Sequence, residues 1–404
     1  MKIIMMRPTY KPELSGGTHL AADLVEDMIK KGHTVKLITP ISRKYLDRVN
    51  VDADECEIVR VVSKYEKKDV LSRVLRYVDV SRMMYKEALK IQDADVIMTH
   101  SMPPLLGPLG VKLGRKKKLP VVYWEQDIVS DSLISTGVFG KGNLKQKIAY
   151  GYSRRLERKT EKGSTHIITI SERFKRNHIE RGIPEEKIDI VYNWIDTDQI
   201  YPVERRDNPL FDELDIPRDK FIVTYCGNLG VPQNVEIMIE AAEMLQENKE
   251  ILFVIIGGGS REKRIKEIVE QKTLPNLKLY PLQPLERSHF VYSIGDVGLV
   301  IGKAGTSKNG FPSKTWSIMA AGQAMIACFD EDSELCGFVR SGNCGITVAP
   351  DSPALLAGAV EQLFSDRGKC EEMKKNAREY VTKNFGREAA TGRIVEIVES
   401  AARQ

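Results

Sequence analysis

FIVTYCGNLG at residues 221–230 and ILFVIIGGGSR at residues 251–261 decide how the chain is read. Each is a short apolar run, rich in β-branched residues, that ends on glycine before a helical pattern begins. Such a continuous run predicts a strand buried on both faces, the kind found in parallel sheets covered by helices. The same rhythm continues outward. Toward the N-terminus the pattern predicts strands at Lys2–Met6, Thr34–Thr39, Ile58–Val62, Asp95–Thr99, Val121–Trp124, His166–Ile170 and Lys187–Tyr192. Helical patterns over Gly17–Lys31, Val70–Ile91, Leu105–Arg115, Leu144–Lys162 and Glu172–Arg181 separate them. Toward the C-terminus, strands are expected at Leu277–Tyr280, Val297–Ile301, Ala324–Ala327 and Gly345–Val348. Only Thr197–Lys220, rich in Asp and Pro, lacks periodicity and reads as a linker. The expected fold class is α/β, with two Rossmann-like doubly wound domains. The first spans 1–196, and 197–385 holds the linker and the second domain. Residues 386–404 form an amphipathic helix that can close either domain, including by crossing back to the first. Open α/β sheets take ligands outside their strand C-termini, so two domains facing across a cleft form the default site for a nucleotide-bearing substrate.

Composition narrows the function. The 404 residues are 42% apolar and 29% charged, which excludes a disordered chain, a collagen-like chain and a disulfide scaffold. Net charge is +5, but residues 1–200 carry +9 and residues 201–404 carry −4, which predicts different partners for the two halves. The longest uncharged run, Val96–Val111, contains three prolines and is too short to span a membrane. Only five residues precede Arg7 after Met1, too few for a signal peptide. The six cysteines are widely spaced and read as reduced thiols of a cytosolic protein. The Asp52/Asp54 and Asp93/Asp95 pairs suggest no metal site, and no Gly-x-Ser-x-Gly elbow marks a serine hydrolase.

Five stretches carry candidate chemistry. Gly227-Asn228-Leu229-Gly230 with Gln233, and Gly257-Gly258-Gly259-Ser260-Arg261, close successive strands, as a backbone that approaches a phosphate or base would require. Gly302-Lys303 and Lys308-Asn309-Gly310-Phe311-Pro312-Ser313-Lys314-Thr315 form a glycine-rich loop with three lysines at a helix start. Lysine there opposes the helix dipole, and a bound diphosphate would explain it. Ser15-Gly16-Gly17 starts the first helix, either as a phosphate contact or as a plain helix-starting loop. Glu125-Gln126-Asp127 ends a strand, where Asp127 either orients or deprotonates a hydroxyl or caps the next segment. Lastly, residues 141–181 hold twelve Lys+Arg against four acids, and Lys64, Lys67, Lys68, Arg73 and Arg76 surround an apolar stripe at Val70, Leu71, Val74, Leu75 and Val78. That pattern predicts peripheral docking on an anionic membrane surface rather than on nucleic acid.

Taken together, these motifs resemble the family 4 retaining glycosyltransferases of the GT-B fold, over nearly the whole chain. Further matching stretches are Tyr192-Asn193-Trp194-Ile195-Asp196, Pro281-Leu282-Gln283-Pro284 and Met319-Ala320-Ala321-Gly322. The similarity is greatest to the bacterial exopolysaccharide and O-antigen branch, including colanic-acid fucosyltransferase-like members. It implies a nucleotide-sugar donor, UDP ahead of GDP, in the second domain. The base would meet Leu282 and Gly258, and the diphosphate Lys314, the Gly310 loop and Gly17. The family's usual Arg and Lys after the first strand of that domain are here Asn228 and Gln233. Its two glutamates fall on Asn309 and Ser317, which shifts phosphate binding toward Lys303, Lys308 and Lys314. The implied reaction is metal-independent transfer with retention to a lipid-diphosphate-linked saccharide, at the cytoplasmic face of the membrane. Two other readings are a sugar-nucleotide epimerase and a non-catalytic nucleotide-binding subunit.

Overall fold

The computed structural model describes residues 1–13, 17–51, 55–67, 69–130, 144–309 and 311–404. Gly16 and Gly310 of the expected site, and the pair Asp52/Asp54, lie outside these residues. The chain divides into two units, Met1–Asn193 with Glu388–Gln404, and Trp194–Arg387.

Unit 1 is built on seven parallel strands: β1 (Lys2–Met6), β2 (Thr34–Pro40), β3 (Glu57–Val61), β4 (Val96–His100), β5 (Val121–Trp124), β6 (His166–Thr169) and β7 (Ile188–Ile190). Their order is β3-β2-β1-β4-β5-β6-β7, so the connectivity reverses between β1 and β4. The described helices of this unit are α1 (Thr18–Lys30), α2 (Val70–Lys90), α3 (Leu106–Lys117), α4 (Leu144–Gly163) and α5 (Glu172–Glu180). The last helix of the chain, Arg387–Ala402, belongs to this unit through all but its first residue. Thr391 donates to Asp27 at 2.8 Å, and Arg393 pairs with Asp189 at 3.0 Å. Asp93 and Asp95 hold Lys2, the first pairing with its ammonium and the second accepting its backbone N–H at 2.7 Å. They are structural anchors of β1.

Unit 2 has six parallel strands: β8 (Phe221–Asn228), β9 (Ile251–Gly258), β10 (Leu277–Pro281), β11 (Val297–Ile301), β12 (Ala324–Cys328) and β13 (Gly345–Val348). Their order is β10-β9-β8-β11-β12-β13, with the reversal between β8 and β11. Phe221 to Tyr225 and Ile251 to Ile256 are almost fully buried. Each such aliphatic or aromatic side chain removed from water contributes about 1.5–3 kcal/mol, which is why these runs form the centre of the sheet.

Two expectations change. The glycines expected as turns after β8 and β9 remain in the ladder, with Gly227 opposite Gly257 and Asn228 opposite Gly258. A Cβ on Gly257 would collide with the Gly227 carbonyl oxygen, so side-chain-free residues let the two strand ends run on side by side. The expected linker Thr197–Lys220 is packed structure. Leu210, Phe211 and Ile216 are buried against Ile222, Leu252 and Val254, and Arg205 donates to the carbonyls of Arg218 and Lys220 at 2.6 and 2.8 Å. One helical turn, Leu210–Glu213, is too short to show periodicity. All six cysteines are free thiols. No described helix is long and apolar enough to cross a membrane.

Candidate active site

In unit 2 the expected residues gather where the strand order reverses, outside β8 and β11. The helix Lys314–Ala320 brings Lys314 back over β8. Its Nζ stands 3.6 Å from the centroid of the Tyr225 ring and lies against Gly227, 3.4 Å from where a Cβ would be. Gly227 has φ +126°, a backbone conformation that favours glycine. The Lys314 side chain is half-buried as a whole, but its Nζ is enclosed and has no hydrogen-bond partner among the described residues. Burial pushes this ammonium down to about 7. A cation held without a counter-charge, over a ring that recovers only part of its hydration, is poised for an anion.

The surrounding residues are fixed by their own bonds. Asn228 donates from Nδ2 to Gln233 Oε1 at 3.2 Å, so the two residues that replace the family's basic pair hold each other. Tyr225 donates to the Asn228 carbonyl at 2.7 Å. The Lys303 backbone N–H donates to Pro232 at 2.9 Å, joining the loop after β11 to the loop after β8. That loop is pinned by Asp330, whose carboxylate accepts the N–H groups of Gly305 at 2.8 Å and Ser307 at 3.2 Å. Leu282, exposed just past β10, faces Gly258, whose Cβ would stand 3.7 Å from that of Leu282. These two are the pair expected around the base.

Other expected contacts are committed elsewhere. Arg261 is ion-paired with Glu236. Phe311 stacks on Trp316 at 4.8 Å, in an aromatic cluster with Phe338 and Phe385. Thr315 is fully buried and donates to the Pro312 carbonyl at 2.7 Å. Ser317 is half-buried on the Lys314 helix. Ser313, before Lys314, is exposed.

In unit 1, Asp127 is exposed past β5, and its backbone N–H donates to Ser101 Oγ at 3.3 Å. Crowding by the protein around it and the Glu125 charge raise its carboxyl pKa. Behind it lies a network that the sequence did not disclose. Buried Glu125 accepts from His178 Nε2 at 2.7 Å, and Glu161 lies 3.5 Å from His178 Nδ1 and 2.9 Å from Arg154. Burial alone would lower the His178 pKa, but the two carboxylates raise it. No sequence signal links these residues, since Glu125 and His178 are 53 positions apart. An open cavity of about 530 Å³ sits at the same edge, its walls including Arg43, Lys44, Tyr65, Arg76 and Tyr77. On α2, Leu71, Val74 and Leu75 are exposed among the basic residues, as are Ile148 and Tyr152 on α4.

Two family models match the chain in succession: "Glycosyltransferase Family 4" over residues 14–199 and "Glycosyl transferases group 1" over residues 207–380. The chain is a glycosyltransferase of family 4. The transferase is 26% identical to WcaI of Escherichia coli strain K12, over 96% of this chain and 97% of that one. The name of WcaI assigns it to colanic acid biosynthesis as a glycosyl transferase, so the transferase is related to exopolysaccharide enzymes. Solved structures place the fold in the GT-B class. HepE of Anabaena, in complex with UDP, superposes with a TM-score of 0.75 at 15% identity, covering 99% of this chain and 100% of that one. Sucrose-phosphate synthase of Thermosynechococcus elongatus gives 0.76 at 16% identity, covering 99% and 98%.

Proposed function

We propose that the transferase moves a sugar, with retention and without a metal ion, from a UDP-sugar to a lipid-diphosphate-linked saccharide in cell-surface polysaccharide synthesis. The observation that carries this reading is the enclosed Lys314 ammonium beside Gly227 at the reversal point of unit 2, without a hydrogen-bond partner among the described residues. The complex of HepE with UDP favours the uridine nucleotide over GDP. In this reading the anomeric carbon breaks its bond to the diphosphate oxygen and gains one to the acceptor hydroxyl. The hydroxyl proton passes to the departing diphosphate. Charge grows on that diphosphate in the transition state, and Lys314, Lys303 and the backbone N–H groups at the start of the Lys314 helix stabilise it where it forms. Asp127 orients the acceptor hydroxyl from unit 1. The exposed Leu71, Val74 and Leu75, with the basic residues around them, support peripheral docking at the inner face of the membrane.

The test is thermal stabilisation by UDP-, GDP- and dTDP-sugars and their free diphosphates, repeated on Lys314→Ala. A ligand at a hundred times its dissociation constant adds about 2.7 kcal/mol. A shift with the uridine compounds that disappears in Lys314→Ala is the expected result. No shift with any nucleotide would reject the reading, whereas a shift without turnover would favour the non-catalytic nucleotide-binding alternative.

A further inference from the structure

Residues 125–130 lead out of β5 and carry Asp127, the one exposed residue among them. Both ends of this stretch are tied to buried charges. At its start, Glu125 accepts from His178 Nε2 of α5 at 2.7 Å and from the Tyr123 hydroxyl at 3.4 Å. At its end, Glu157 of α4 takes both donors of buried Ser130, the backbone N–H and the hydroxyl, each at 2.7 Å. Between the two ties, the backbone N–H groups of Gln126 and Asp127 both donate to Ser101 Oγ at 3.3 Å. Ile128 is buried with Ile170 and Phe174. Asp127 thus presents its side chain from a backbone held on either side.

The two ties belong to one network. Glu161, a turn beyond Glu157 on α4, lies 3.5 Å from His178 Nδ1. Arg154 reaches Glu157 at 3.5 Å and Glu161 at 2.9 Å, and Arg181, just past α5, lies 3.8 and 3.3 Å from the same two carboxylates. Glu125, Glu157 and Glu161 therefore face three cations when His178 is an imidazolium, the form in which both ring nitrogens donate. Burial opposes that form, but Glu125 and Glu161 raise the His178 pKa to about 10, so the ring holds it at neutral pH. Breaking such a pair is costly, yet apolar residues of the same volume are often as stable, so stability alone is a weak reason to bury these charges. What a fully connected network supplies is one fixed arrangement of its parts, here α4, α5 and the stretch past β5.

We propose that His178 and Glu157 are positioning residues, which through Glu125 and Ser130 fix the stretch that presents Asp127 and so set where its carboxylate meets the acceptor hydroxyl. The assignment rests on the reading of Asp127 as the group that orients that hydroxyl. Both residues act through the backbone of residues 125–130 and not by contact with substrate. A misplacement of about 1 Å at a reacting group costs on the order of 10²-fold in rate. A slackened tie should therefore show in turnover and leave donor binding alone.

The experiment is a double-mutant cycle on the full-length protein. Glu157→Leu removes the tie at Ser130, and Glu157→Gln keeps an acceptor there; in both, Arg154 and Arg181 retain Glu161. His178→Asn goes through the same cycle, and the Glu157 variants carry the test if it fails to fold. Initial rates are taken with UDP-glucose, UDP-galactose and UDP-N-acetylglucosamine, with farnesyl-diphosphate-linked N-acetylglucosamine as acceptor. Glu157→Leu should lower kcat about tenfold or more at unchanged donor KM, and Glu157→Gln should recover most of it. In an Asp127→Asn background, Glu157→Leu should cost nothing further. Equal losses in both backgrounds, or a change in donor KM alone, would overturn the positioning role. Transfer by Asp127→Asn at the parent's rate would instead refute the reading of Asp127 on which it rests. Residue-resolved hydrogen exchange judges the tie whether or not these probes turn over. The Asp127 amide, bonded to Ser101 and not to Glu157, should exchange about tenfold faster or more in Glu157→Leu, while Ile167 and Ile168 of β6 keep the parent rate. An Asp127 amide as protected as in the parent, or one that speeds up only in step with β6, overturns the proposal.

Discussion

Titration of Lys314 should govern nucleotide affinity. Its Nζ is enclosed beside Tyr225, and burial holds it at about 7 against an ordinary 10.5. A bound diphosphate would keep the proton on and return the group to its ordinary range, a recovery of ~5 kcal/mol at 1.36 kcal/mol per pKa unit. If only the ammonium form binds, the dissociation constant scales as 1 + 10^(pH − 7), with the 7 taken from the buried group. From pH 7.5 to 8.5 that factor rises about eightfold, and at pH 8 binding should take up about 0.9 proton. The second phosphate ionisation, near 6, is already complete, so the charge of UDP stays constant over this window. Calorimetry with UDP in Tris and in HEPES measures both quantities, since their ionisation enthalpies differ. Lys314→Arg, which stays charged, should flatten the profile. The free protein should show the opposite trend. Between about pH 7 and 10.5 the unfolded chain holds the Lys314 proton that the folded chain has lost, so this group's contribution to stability rises with pH. A flat dissociation constant with a buffer-independent enthalpy would refute the reasoning, and so would an equal slope in Lys314→Arg.

Gly227→Ala should cost about 1–3 kcal/mol through its φ of +126° and weaken UDP binding by displacing Lys314; urea unfolding and calorimetry check the two effects separately. Breaking the buried pair with His178→Asn or Glu125→Gln should destabilise the protein by about 3–5 kcal/mol. The His178 pKa is raised to about 10 in the folded state, so its contribution is complete below about 6.5 and fades as pH rises toward 10. Glu161 is lowered to about 2, so its contribution is complete above about 4.5 and fades in acid. Urea midpoints of wild type and His178→Asn should therefore differ most between these limits, and an equal difference at pH 9 would count against the ion pair. Leu71→Asp with Leu75→Asp should abolish flotation with anionic vesicles while moving the melting point little, because both side chains are exposed.

Much of the fold could be read from hydrophobic period alone, because parallel strands such as Ile251–Gly258 are buried on both faces and their apolar runs are continuous. The linker expected at Thr197–Lys220 failed for the converse reason. Leu210 and Phe211 are core residues of a single turn, and one turn has no period to detect. The site divides along another line. Glycine runs and the Lys314 loop are local, and their chemistry shows in sequence. Whether a cation is free to meet a ligand is not local. Arg261 follows the Gly257 run and looked available, yet Glu236, 25 positions away, takes its guanidinium. Arg7 carries no signal of its own just after the first strand, yet the fold leaves it 2% exposed with no described carboxylate paired to it. Lys314 and Arg7 thus share one property that only the folded chain reveals. Each holds an enclosed cationic nitrogen where the strand order of its own sheet reverses, with no hydrogen-bond partner for it among the described residues. Holding such a cation without an anion destabilises the free protein, and at Lys314 that same deficit would strengthen binding when a phosphate arrives.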